Sequence, residues 1–193
     1  MNFINELKKF WEKYPSRKIY TERCVDFYTR HKWERNIFQR DFFEDGHFTA
    51  WVLVMNPEKT KFLLMRSKKT GTWQQFWGHA DGETNLREAA KREFEEESGI
   101  DTKYLNLNDD IWSVDIHFVP EFHHPKHWPE PEHYHYDINY FWTVSEDIVL
   151  TTDDADVEDM KWLSITELQS GSLNLSSGMQ VMFDEYFSTQ LVW

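Results

Sequence analysis

The 193-residue sequence predicts an α/β fold with a helical extension at its N-terminus. Three observations carry that prediction. Segments of strand length, apolar or strictly alternating, recur at 47–55, 61–65, 111–118 and 133–142. A segment of helical period with start and stop signals lies between the second and third of these, at 85–98. The first 45 residues repeat their apolar positions at helical spacing instead.

Composition limits what such a chain can do. Ten Trp, fifteen Phe and eight Tyr supply packing material for one domain with a sizeable core. The formal net charge of −13 argues against nucleic acid as a partner, since a phosphate backbone selects a basic stripe. It would also repel a phosphorylated small molecule unless divalent cations neutralise the site. No apolar stretch approaches a membrane span and no leader segment is recognised, so a cytoplasmic protein without membrane contact is expected. The single cysteine, Cys24, cannot form an internal disulfide. Neither a repeat nor a linker is apparent, so one domain spans 1–193: the extension at 1–45, a core at 46–170, and a helix and tail at 171–193.

In chain order, Phe3, Leu7, Phe10, Trp11 and Tyr14 form an amphipathic stripe that Pro15 stops, and Tyr20, Cys24, Phe27 and Tyr28 continue it in a second helix. Within that stripe Cys24 reads as a core thiol, not a nucleophile. Packing against the remainder of the chain is the favoured role of these helices, with dimerisation or substrate selection as alternatives. Asp45-Gly46 marks a turn, and His47–Met55 follows as a nearly continuous apolar strand. Asn56-Pro57-Glu58 turns the chain into the strand 61–65. The cations Arg66, Lys68 and Lys69 come next and are candidates for phosphate contact or for a solvated turn. Residues 73–77 carry the chain into the segment that follows.

The segment 78–100 organises the molecule. Asn85 is a good N-cap, Glu88 is placed to complete a capping box, and Gly99 can end the helix in the left-handed conformation. On a helical wheel with Leu86 at zero, Glu93 and Glu97 fall at about 340° and about 20°, inside the arc of Ala89, Ala90 and Phe94. Carboxylates on the packed face pair with cations or coordinate metals. An intrahelical network of Glu–Lys and Glu–Arg pairs is the simpler alternative. Arg92-Glu93-Phe94-Glu95-Glu96-Glu97-Ser98-Gly99-Ile100 matches the R-E-U-x-E-E-x-G-U core of the Nudix box, and the required thirteen residues separate Gly78 from Arg92. The chain resembles the Nudix hydrolases, in particular a bacterial branch whose box opens with Gly-His-Ala-Asp-Gly-Glu. Two positions depart from the pattern: Thr84 replaces the first box glutamate, with Glu83 one residue early, and Trp77 replaces a frequent glycine.

After the box, Ser113, Asp115 and His117 share one strand face, and His133, His135, Asp137 and Asn139 share another. Polar faces of this kind are expected to line a cleft, rimmed by the proline-rich loop 120–132. Its histidines, His123, His124 and His127, are read as loop decoration. Zinc ligation by the histidine-rich cluster is one alternative; contact with substrate phosphate, ribose or base is preferred. The acidic run 151–159 precedes a strand at 160–163 and a helix opening at 164–168, and an aromatic helix closes the chain at 179–187.

The resemblance, which extends over roughly 46–170, implies the Nudix α/β/α sandwich, a mixed sheet between helices. The strand–helix alternation agrees with that fold without establishing it. It also implies metal-dependent hydrolysis of a nucleoside diphosphate linked to another moiety. Glu93 and Glu97 would hold Mg2+ or Mn2+ with Glu96 beside them, and a main-chain carbonyl near Trp77 or Gly78 would add a ligand. Arg92 would orient the glutamates, and the proton of the attacking water would pass to a box glutamate or to the acidic segment, at Asp154 or Asp156. Arg66, His79, His117, His135 and Asp137 are the candidate substrate contacts. The expected partner is a small nucleoside diphosphate derivative, with a homodimer possible. The competing reading is a Nudix-fold module that binds a nucleotide or protein without catalysis.

Overall fold

A computed structural model describes residues 3–33, 36–108, 110–122, 129–151 and 155–190. Two helices, α1 (Phe3–Lys13) and α2 (Lys18–His31), precede the first strand, β1 (His47–Met55). The chain continues through β2 (Lys61–Ser67), β3 (Trp73–Gln74) and β4 (Phe76–His79) into helix α3 (Leu86–Ser98). Then come β5 (Asn106–Leu107), β6 (Ser113–Val119), β7 (His133–Thr143), β8 (Val157–Ser164), α4 (Ile165–Gln169) and α5 (Ser177–Gln190). The eight strands belong to one sheet in which hydrogen-bonded neighbours run β3-β2-β1-β7-β5; β4 pairs with β1, β6 with β7 and β8 with β2. This is the α/β fold with N-terminal helices that the sequence predicts. No helix among the described residues is long and apolar enough to cross a membrane.

Contacts divide the chain into two compact units. The first comprises residues 1–51, 77–91 and 109–140. Its extension packs as the apolar stripe requires: Leu7, Phe10, Cys24 and Phe27 are buried. Phe27 stacks on Tyr136 of β7 at 4.0 Å between ring centroids, and Phe3 and Phe27 meet Phe48 of β1 edge-on. Gly46, at φ +101°, leads into β1 where a Cβ would lie 1.9 Å from the Tyr134 carbonyl oxygen, so only glycine allows that approach. β6 and β7 form a continuous antiparallel ladder from Ser113↔Asn139 to Val119↔His133.

The second unit comprises residues 52–76, 92–108 and 141–193. Here β2 pairs antiparallel with β1 on one edge and with β8 along its whole length on the other. Phe62 packs against Phe183 and Tyr186 of α5, and Phe94 of α3 meets Phe76 and Trp142 edge-on. Ser164 caps α4 in a full capping box with Glu167.

The start of α3 corrects one expectation. Asn85 does cap the helix, its side chain accepting from the Arg87 amide at 3.3 Å, but Glu88 does not close the box. Glu88 pairs with Lys91, and it is Glu83 that accepts the Asn85 amide at 2.8 Å. The displaced glutamate is thus engaged by the loop's own backbone. Residues 73–77, where the resemblance implies a short strand, hold β3 and the start of β4, separated by the buried Gln75.

Candidate functional site

Each unit carries a cluster of chemically active side chains. In the second unit these are the carboxylates of α3. A helix places residues four apart on one face, and Glu93 and Glu97 are accordingly half-buried while Glu95 and Glu96 are exposed. Arg92 donates to Glu93 at 2.6 Å and lies 3.3 Å from Glu96, so one guanidinium holds two box carboxylates. The Glu93 side chain is only 13 % exposed beneath it. Glu95 points away and accepts the Thr102 amide and hydroxyl at 2.8 and 2.7 Å, which ties down the turn after the helix. Gly99 ends α3 at φ +67°, and a Cβ there would lie 2.6 Å from the Thr151 carbonyl oxygen. The donor set on this face is all carboxylate oxygen, which suits a hard divalent cation. Also in this unit, Arg66 lies 3.4 Å from Glu158 and donates to the Gly71 carbonyl. Asp154 lies outside the described residues.

In the first unit a polar cluster is built on β1, β4, β6 and β7. His133, His135, Asp137 and Asn139 do share one face of β7, as alternation requires, but they are buried, each 5 % exposed or less. The expectation of an open cleft along this face is therefore corrected. The groups that satisfy it come from β1 and β6. Thr49 donates to Asp137 at 2.5 Å, Trp51 reaches the same oxygen at 3.1 Å, and His117 engages the other oxygen at 2.5 Å. Asn139 donates to the Ser113 carbonyl at 3.4 Å. His117, whose side chain is 40 % exposed, is the outward member of the network. Burial alone would lower its pKa, but the hydrogen bond to Asp137 and the charges of Asp137 and Asp115 outweigh that and raise it. Burial raises the Asp115 carboxyl, and the charge of Asp137 adds to the shift.

The same face gathers four imidazoles. The His47 ring lies 5.1 Å from His79, 5.0 Å from His133 and 4.7 Å from His135 between centroids. His133 and His135 bring their Nε2 atoms to 3.1 Å. Burial lowers His47 to about 4 and His79 to about 3, and pushes His135 in the same direction, so these rings are neutral at pH 7. His47 Nε2 and His135 Nδ1 are buried without a hydrogen-bond partner among the described residues. Each such atom costs roughly 1–3 kcal/mol. Beside them Trp51 and Trp77 stack at 4.8 Å.

Of the residues singled out from sequence, the structure thus brings together His79, His117, His135 and Asp137 in one cluster, and Arg92, Glu93 and Glu96 in another. Trp77 belongs to the first unit, through its ring on Trp51. His47, Thr49 and Trp51 were not singled out, because 47–55 reads as continuously apolar. The signal was present as a period of two: those three positions alternate with Phe48, Ala50 and Val52. His123, His124 and His127 lie outside the described residues.

The NUDIX domain family matches residues 45–185. No curated protein matches the sequence. Among solved structures, the chain is similar to a Caenorhabditis elegans Ap4A hydrolase in a binary complex, with a TM-score of 0.54 and 15 % identity over 76 % of this chain and 98 % of that one. It is likewise similar to the Escherichia coli dihydroneopterin triphosphate pyrophosphohydrolase, with a TM-score of 0.55 and 16 % identity over 72 % and 93 % of the two chains. A NUDIX family hydrolase from Clostridium perfringens gives a TM-score of 0.52 and 22 % identity over 75 % and 97 %. At these identities the likeness is one of fold.

Proposed function

The chain belongs to the Nudix hydrolase family, and from that membership we propose that it cleaves the diphosphate linkage of a nucleoside diphosphate–X compound by attack of water, with Mg2+ or Mn2+ as cofactor. The observation that carries the proposal is the intact Arg92–Ile100 segment on α3, with Glu93 and Glu97 half-buried one turn apart. Their oxygens, with Glu96 beside them, fit a hard divalent cation, and these residues would hold it. Such a cation would neutralise diphosphate oxygens and acidify the attacking water. Arg92 keeps Glu93 and Glu96 in place by charge-assisted hydrogen bonds, so that their carboxylates need not reorganise when substrate arrives. A carboxylate, from the box or from Asp154, accepts the proton of the attacking water.

Arg66 is the proposed phosphate contact, in exchange for its long pair with the exposed Glu158. His79 and His117 are the proposed substrate contacts of the first unit. His135 and Asp137, being buried, support them: Asp137 fixes the His117 ring, and His135 packs edge-on against both His79 and His117. Incubating the protein with a panel of dinucleoside polyphosphates, ADP-ribose, NAD-type dinucleotides and nucleoside triphosphates, with Mg2+ or Mn2+, tests the reading. At least one compound is expected to yield two phosphorylated products that appear in equal amounts. Tight binding across the panel without any turnover would instead indicate a non-catalytic nucleotide-binding module.

A further inference from the structure

We propose that His47, His133 and His135 form a binding site for a borderline divalent transition-metal ion of the Zn2+ class, chemically distinct from the carboxylates of α3. One ring nitrogen from each of the three lies within 4.8 Å of the other two, and all three residues are buried. Their tautomers are set from outside the cluster. His47 Nδ1 donates to the Phe42 carbonyl at 3.2 Å, and His133 Nδ1 donates to the Pro131 carbonyl at 2.8 Å. In each ring the proton is thereby committed away from the cluster, and the Nε2 lone pair is left to face it. A backbone carbonyl on the far nitrogen is the arrangement that orients a metal-ligating histidine.

The inner atoms are placed for a ligand that accepts lone pairs. His133 Nε2 and His135 Nε2 lie 3.1 Å apart, close to the edge of about 3.3 Å between nitrogens about 2.0 Å from a tetrahedral ion. His47 Nε2 is buried in a residue 1 % exposed and has no hydrogen-bond partner among the described residues. A purely hydrogen-bonded histidine core would give that atom a donor; a cation at the centre of the three rings satisfies it directly. Nitrogen donors with no carboxylate among them select Zn2+, Co2+ or Ni2+ over Mg2+. Asp137 stands close by, in a second group with His117 and His135 that also falls within 4.8 Å, and supplies negative charge beside the ion. With three protein ligands a fourth position is left for water. Since His47 lies on β1 and the other two on β7, the ion would pin the starts of neighbouring strands.

The test uses the full chain, stripped with chelator and then titrated with Zn2+ in the presence of excess Mg2+, which occupies hard oxygen sites. Retention of one Zn2+ per chain is expected, with a rise in melting temperature. Replacement by Co2+ is expected to give the visible d–d absorption of a four- or five-coordinate nitrogen site. His47→Gln and His133→Asn should each weaken Zn2+ binding by roughly 100-fold or more, beyond the loss usual for an outer-shell partner. The loop variant H123Q/H124Q/H127Q and the box variant Glu97→Gln should keep it. The proposal is overturned if the wild-type protein retains no Zn2+, if retention survives both His47→Gln and His133→Asn, or if it disappears with the loop variant. Should the histidine variants fail to fold, the Co2+ spectrum of the wild-type protein decides alone, and an octahedral spectrum overturns the site.

Discussion

At the scale of single residues, burial decides which polar groups are available for chemistry. Cys24 is fully buried in the stripe of α2, and burial raises its thiol pKa well above the ordinary value. Iodoacetamide should therefore label the native protein only at the rate of unfolding, and labelling within seconds in native buffer would contradict a core role. Asp137 is the opposite case, a buried carboxylate kept by donors from Thr49, Trp51 and His117. Thr49→Val preserves shape and removes one donor, so it should cost roughly 1–3 kcal/mol in a urea titration. A change below a few tenths would mean that Trp51 and His117 suffice. These residues also mark the limit of reading from sequence. Alternation along 133–139 identified the polar face correctly, but alternation names a face and not what lies opposite it. The donors stood on β1, inside a run whose apolar neighbours hid its period of two.

At the scale of elements, α3 was the most legible part of the chain. Its cap, its C-terminal glycine and its two half-buried glutamates all follow from spacing, because a helix fixes neighbours four residues apart. The partner of the cap did not follow, since a loop can present either Glu83 or Glu88 and only its backbone path selects one. The N-terminal helices were legible as amphipathic and are seen to pack, with Phe3 and Phe27 covering Phe48 and Tyr136. The segment that follows them also braces the loop leading into α3. Arg40 holds Asp81 in a forked pair, and the Gly82 amide donates to the Phe38 carbonyl at 2.8 Å. Deleting residues 1–40 should therefore expose apolar surface and drive aggregation, readable by light scattering. A soluble, monomeric truncation as stable as the full chain would contradict that packing.

At the scale of the whole molecule, family, charge and chemistry bear on one question. The matched region, 45–185, begins just ahead of β1, so the helices α1 and α2 are additional to it. A chain with formal net charge −13 repels a diphosphate unless cations neutralise it, and the Glu93–Glu97 face of α3 is where we propose that one binds. The most direct measurement is turnover of the best diphosphate substrate by wild-type protein and Glu97→Gln, side by side in saturating Mg2+, with circular dichroism verifying the fold of both. The rate is expected to fall roughly 100-fold or more in the variant, at an unchanged melting transition. Equal rates for the two proteins would contradict a metal-bearing role for the box helix.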